Sequence, residues 1–207
     1  MTKIKYTYYT AGAIEKATDT QMVDWRKEVK EKLNTPEAIQ YNPVERETQK
    51  TGKPAGEQTK YISGLKQAGL WEKFLEEMDK IWLGTIRPEA NLIEIFLDLR
   101  NRKCIDGNEM RDLDFWADYE ATIRSDFVVA LMKKDIPTVG TYGEIFICYL
   151  LHIPVYLVLP DQSKTDCNST LLYWVLRSGG DVFYSISEAC NFIRDKYKLK
   201  EVKEEKK

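Results

Sequence analysis

Two short acidic constellations in this chain carry residue types and spacings suited to chemistry. The first is Thr138-Val139-Gly140-Thr141-Tyr142-Gly143-Glu144. Two glycines in a loop let a backbone approach a ligand closely. A helix opening at Tyr142 puts Glu144 in its first turn, where the macrodipole favours the ionised carboxylate. Such a carboxylate can attack or stabilise an electron-poor carbon, although glutamate is also an ordinary first-turn residue. The second runs from Ala117-Asp118-Tyr119-Glu120 to Ser125-Asp126. Asp118 and Glu120 fall on a helix ahead of an apolar run, either as a solvated face or as functional acids. A pair of carboxylates is what glycosidic-bond cleavage uses: one captures or stabilises the cationic sugar, and an acid protonates the departing group.

The rest of the chain narrows the chemistry. His152 is the one histidine, placed at a helix-to-strand junction as a helix-terminal or core residue. There is no HExxH and no Cys/His ligand cluster, so no metal site is expected. There is also no GxSxG nucleophile elbow. Gly52-Lys53-Pro54 lacks the spacing of a phosphate loop. No cofactor is expected, and catalysis falls to carboxylates, hydroxyls and backbone dipoles.

The elements that must position these groups follow from periodicity. Lys3 to Thr10 is β-branched and aromatic and ends at Ala11-Gly12-Ala13, a strand entering a glycine turn. Thr18-Asp19-Thr20-Gln21 fits a capping box ahead of Met22, Trp25, Val29 and Leu33 at helical spacing. Ala38 to Tyr41 is a second strand, stopped by Asn42-Pro43. Residues 43–63 are polar and read as a mobile surface segment, with a lid as one alternative. A long helix follows over Leu65 to Trp82, then an apolar segment, Leu92 to Leu99, that suits helix or strand. In the second half, Asp114 to Ser125 reads as helix, Phe127 to Met132 as a strand buried on both faces, Tyr142 to Leu151 as helix and Ile153 to Leu159 as strand. Leu171 to Leu176 is amphipathic, Val182 to Tyr184 is a last strand, and Ser187 caps a final helix. Strand and helix alternate as in a parallel sheet, and ligands bind beyond the carboxyl ends of such strands. Residues 1–207 therefore read as one α/β domain with a doubly wound, Rossmann-like parallel sheet, a largely helical insertion at about 43–110 and a charged tail over 198–207.

Composition agrees with a packed domain. The chain has 207 residues, 43% of them hydrophobic, with 31 Lys+Arg against 33 Asp+Glu and a formal net charge of −2. That balance gives no electrostatic reason to expect nucleic acid or an anionic membrane as partner. The longest apolar runs fall short of the ~20 residues that span a bilayer, and the first residues show no secretory signal. Four widely spaced cysteines without a CxxC pair suit a reducing, cytoplasmic setting.

Four blocks in order carry a family resemblance: Tyr9-Thr10-Ala11-Gly12-Ala13-Ile14; Asp118 followed by Ser125-Asp126-Phe127-Val128-Val129-Ala130; Gly140-Thr141 with Glu144-Ile145; and Ile153-Pro154-Val155. Across residues 3–33 and 114–195 the chain resembles the nucleoside 2-deoxyribosyltransferases. The resemblance implies a flavodoxin-like sheet and 2-deoxyribosyl transfer between nucleobases through a covalent glycosyl-enzyme. It implies Glu144 as nucleophile and Asp118 as the residue that holds the base or assists its protonation. Tyr9, Gly12, Thr138, Gly140 and Thr141 would line the substrate site. Asn168 and Ser169 would complete a neighbouring subunit's pocket, so a homo-oligomer is implied. Thr138 stands where such transferases often carry an acid. Related proteins hydrolyse nucleoside monophosphates, and the Gly140-Thr141-x-x-Glu144 block also resembles cytokinin-activating phosphoribohydrolases, with Ile136-Pro137-Thr138-Val139 where those usually have PGG. The alternatives are thus a 5′-monophosphate N-glycosidase, with Lys53 or Lys60 reading the phosphate, and a non-catalytic nucleotide sensor. In the sensor, Trp71, Phe74 and Trp82 of the insertion would serve as partner surface or core.

Overall fold

A computed structural model describes residues 4–15, 17–51, 55–87, 89–101, 117–136 and 138–199. Its centre is a five-stranded, wholly parallel sheet: β1 (Tyr6–Gly12), β2 (Ala38–Tyr41), β3 (Phe127–Leu131), β4 (Val155–Val158) and β5 (Asp181–Phe183), ordered β2-β1-β3-β4-β5. This is the flavodoxin-like order of a doubly wound α/β fold, as the sequence predicts. Its topological switch point lies between β1 and β3, where Tyr9 pairs in register with Val128 and Gly12 with Leu131.

Alternation along the strands fills both faces. On one face Tyr8, Phe127, Val129 and Tyr156 pack beneath α1 (Asp19–Leu33) and α9 (Ile186–Tyr197), through Trp25, Val29, Leu33, Ala189, Cys190 and Ile193. On the other, Tyr9, Val128, Ala130 and Leu157 meet α6 (Asp118–Arg124), α7 (Val139–Leu150) and α8 (Ser169–Arg177), through Ala121, Ile145, Cys148 and Val175. α1 opens on the expected capping box, Thr18 with Gln21. Asp126 serves the sheet, its Oδ2 accepting from Thr7 N at 2.8 Å. His152 stands just past α7 at φ 53°, in a Schellman turn closed by Ile153 N to Cys148 O at 2.9 Å.

The described part of the insertion is helical, as expected, and differs from the sequence reading in detail. Residues 43–63 are not a loose surface strand of chain: α2 (Pro43–Thr51) and α3 (Ala55–Gln67) are helices, and 52–54, with Lys53, lie outside the described residues. Asn42-Pro43 ends β2 and also opens α2. The Asn42 side chain accepts from Val44 N at 3.1 Å and Glu45 N at 3.4 Å, with proline at the first helical position. The long helix expected over 65–82 is two, broken at Gly69 (φ 67°) before α4 (Trp71–Trp82). The ambiguous 92–99 segment is helical, as α5 (Leu92–Asn101). Ser185, not Ser187, caps α9, accepting from Glu188 N at 3.1 Å. The expected helix residues 114–116, Cys104 and the tail from 200 lie outside the described residues. Among the described residues no helix is long and apolar enough to cross a membrane.

Candidate functional site

The carboxyl ends of β1 and β3 open into a cavity of about 270 Å³, close to the lower bound of ordinary ligand pockets, about 300 Å³. The sheet side supplies Gly12, Ala13 and Ile14, α7 supplies Thr138 to Thr141 with Glu144, and α6 supplies Asp118. The insertion forms the opposite wall with Glu47 from α2, Ile62 from α3 and Ile81 and Trp82 from α4. Helices α2, α3 and α4 therefore help enclose the site at the switch point.

Glu144 is 4% exposed, and the Tyr9 hydroxyl donates to its Oε1 at 2.6 Å. Its setting corrects the sequence expectation. α7 begins at Val139, with Tyr142 N bonded to Thr138 O at 3.2 Å, so Glu144 lies in the second turn and the glycines lie inside the helix. A helix dipole acts mainly within its first turn, and here desolvation prevails. Burial, reinforced by the charge of Asp118, pushes the Glu144 carboxyl up to about 8, against the opposing Tyr9 hydrogen bond and the Arg26 charge. Burial and the same two carboxylates push the Tyr9 hydroxyl well above its usual value, so it remains a donor.

Asp118 is the first residue of α6 and is buried. Arg46 Nη2 lies 3.3 Å from its Oδ1, and both side chains are 6% exposed. Glu47, the next residue on α2, is pushed up to about 7 by burial and then by Asp118, with Arg46 and Arg26 opposing. Arg26 is wholly buried beneath this group of acids. It donates to Met22 O at 2.5 Å and Gly12 O at 3.1 Å and lies 4.6 Å from the Trp25 ring centre. Burial lowers it to about 10, while Tyr9, Glu144, Asp118 and Glu47 hold its charge in place.

Sequence reasoning missed Arg26, Arg46, Glu47 and Trp82. Arg26 did leave a signal, because it falls four residues after Met22 on the buried stripe of α1, where a charge has no place without partners. Arg46 and Glu47 were hidden in a segment whose polarity resembled solvent-facing chain. Gly140 explains Trp82: a Cβ at 140 would sit 3.0 Å from Trp82 Cη2, so the glycine lets the indole lie against α7. Trp82, which lines the cavity, also packs on the Tyr119 ring, with centroids 4.8 Å apart and the planes tilted by 41°. Gly12 is similarly required, since a Cβ there would meet Trp25 Cζ2 at 2.7 Å.

Of the expected site residues, Glu144, Asp118, Gly12, Thr138, Gly140 and Thr141 line one cavity, and Tyr9 lies behind it on Glu144. Thr138 occupies the N-cap position of α7 without capping through its side chain. Asn168 and Ser169 do not line this cavity. They are exposed at the start of α8, where the Asn168 side chain caps the helix by accepting from Thr170 N and Leu171 N at 3.0 and 3.2 Å. No protein-family model matches the chain, and no curated protein matches it in sequence.

Proposed function

We propose that this cavity cleaves the N-glycosidic bond of a deoxynucleoside and passes the 2-deoxyribosyl group to a second nucleobase. The carrying observation is the buried Tyr9–Glu144 pair at the β1/β3 switch point, with a second carboxylate, Asp118, lining the same cavity, which is of nucleoside size. The ionised Glu144 attacks C1′, the C1′–N bond breaks toward the base, and a glycosyl ester forms. The acceptor base attacks the same carbon and releases Glu144. Tyr9 holds one carboxylate oxygen so that the other faces the sugar. Asp118, fixed by Arg46, accepts hydrogen bonds from the base, and Trp82 offers it a stacking face. The developing positive charge on the sugar favours the ionised form of Glu144 in the transition state.

Side-chain chemistry favours a nucleoside over a nucleotide: among the described residues no lysine or arginine lines the cavity to pair with a 5′-phosphate.

An oligomer fits the exposed side of α7. Val139, Tyr142, Phe146 and Leu150 form a stripe three and four residues apart, continued by Tyr173 and Leu176 of α8. Val139 is 81% exposed and also lines the cavity, so a second copy seated there would reach the mouth of the site. Three free, buried cysteines, Cys148, Cys167 and Cys190, suit a reducing compartment such as the cytoplasm.

The test is incubation with each deoxynucleoside plus a different free base, followed by chromatography. New nucleoside supports transfer, and free base without exchange selects the hydrolase. If no deoxynucleoside, ribonucleoside or monophosphate is turned over, the enzymatic reading falls; tight binding without turnover would favour a sensor.

A further inference from the structure

We propose that Glu47 is the general acid that protonates the departing base and the general base that later deprotonates the acceptor. This assignment rests on the glycosyl-transfer reading above and adds to it the residue that moves the proton.

Leaving-group activation requires an acid that touches the base from the side opposite the nucleophile. Glu144 and Tyr9 serve the sugar, and Thr138 carries only a hydroxyl, a poor proton donor at neutral pH. Asp118 is engaged by the buried Arg46 guanidinium, 3.3 Å from its Oδ1. Proton donation by Asp118 would leave Arg46 buried against a neutral partner, which is costly. Glu47 is differently placed. It lines the same cavity from α2, on the insertion wall across from α7, one residue from the arginine that anchors Asp118. Its carboxyl, raised to about 7, can both give and take a proton near neutrality. Among the described residues, Asp118 acts to raise it and Arg46 and Arg26 to lower it.

The proton balance closes. Glu144 forms its C1′–O bond as the C1′–N bond breaks, the bonding pair passes to the base nitrogen, and Glu47 gives a proton to the base. In the second half the acceptor base loses its proton to Glu47 as its nitrogen bonds to C1′ and Glu144 departs. Both carboxyl groups finish as they began.

The assay compares ordinary deoxynucleosides with the 2′-deoxyriboside of nicotinamide, whose ring leaves as a neutral pyridine and needs no proton. In Glu47→Gln, turnover of the best ordinary deoxynucleoside should fall by on the order of 10²–10⁴, and that of the nicotinamide compound by no more than about tenfold. Retained cleavage of the second substrate also reports that the variant is folded. The unmodified protein gives a second readout. Its kcat/KM for ordinary deoxynucleosides should be bell-shaped in pH, with limbs set by Glu144 and Glu47, whereas the nicotinamide substrate should show only the rising limb. Equal losses on both substrates, no loss on either, superimposable pH profiles, or failure to cleave the nicotinamide compound while ordinary deoxynucleosides react would each overturn the role of Glu47 and leave the glycosyl-transfer reading intact. No turnover of any substrate would remove both.

Discussion

Replacing Glu144 with glutamine should make the protein more stable as pH rises, while abolishing turnover. In an unfolded chain the carboxyl titrates near 4.5, and in the fold it titrates near 8. Between those values the native state binds the proton and the unfolded state does not, so stability falls as pH rises. The contribution is fully present below about 4.5 and fully lost above about 8. At about 1.4 kcal/mol per tenfold change in proton affinity, the complete loss is on the order of 5 kcal/mol. From pH 5 to pH 8 it is on the order of 3 kcal/mol. Glutamine keeps the size of the side chain and an acceptor for the Tyr9 hydroxyl, and it does not titrate. Glu47 shifts in the same direction but is present in both proteins, so its contribution largely cancels in the difference. Urea unfolding of both proteins at pH 5, 6, 7 and 8 supplies the measurement. The advantage of Glu144→Gln should grow across that series by about 3 kcal/mol. A difference that stays flat, or that shrinks as pH rises, would refute the reasoning, because it would mean that Glu144 is stabilised as an anion in the fold.

Other outcomes follow from the same geometry. Tyr9→Phe removes a hydrogen bond that lowers the Glu144 pKa, so the single rising limb of its pH–rate profile on the nicotinamide substrate should move to higher pH, and an unmoved limb would dissociate the pair. Gly140→Ala places a methyl group 3.0 Å from Trp82, displacing the indole; KM should rise several-fold with little change in kcat, and unchanged kinetics would remove Trp82 from the base site. Phe146→Glu puts a charge into the exposed stripe on α7, so sedimentation should show a monomer where the parent protein associates, and an unaltered oligomer would place the interface elsewhere. Arg46→Met removes the buried ion pair with Asp118 and should lower stability in urea unfolding by up to about 3–5 kcal/mol; a loss under about 1 kcal/mol would show that this pair contributes little to the fold.

The frame of this fold was legible because its strands are unusually plain. Phe127 to Leu131 and Val155 to Val158 are continuous apolar runs, every residue of which is buried. The capping box at Thr18 marked α1 without reference to the rest of the fold. The acids at 118 and 144 were visible through the helix and strand that bracket them. What escaped depends on contacts between distant segments. Glycine weakens helices, so Gly140 and Gly143 suggested a loop. The Trp82 ring, 58 residues away in sequence, is what makes the first of them fit inside α7. The start of that helix moved Glu144 from the first turn to the second and reversed the sign of its pKa shift. Arg46 and Glu47 looked like solvated charge because their neighbours on α3 and α6 come from distant parts of the chain and leave no mark on residues 43–51. Asn42-Pro43 was itself a helix-start signal, and its role in ending β2 obscured the second one.

The most direct test of the central assignment is capture of the intermediate. A 2′-deoxy-2′-fluoroarabinosyl nucleoside slows release of the sugar, and intact-mass spectrometry followed by peptide mapping locates the ester. The account predicts one added fluorosugar per chain, attached to Glu144, and none in Glu144→Gln. An adduct on another residue, or release of base from an ordinary deoxynucleoside by the Gln variant at the parent rate, would contradict it.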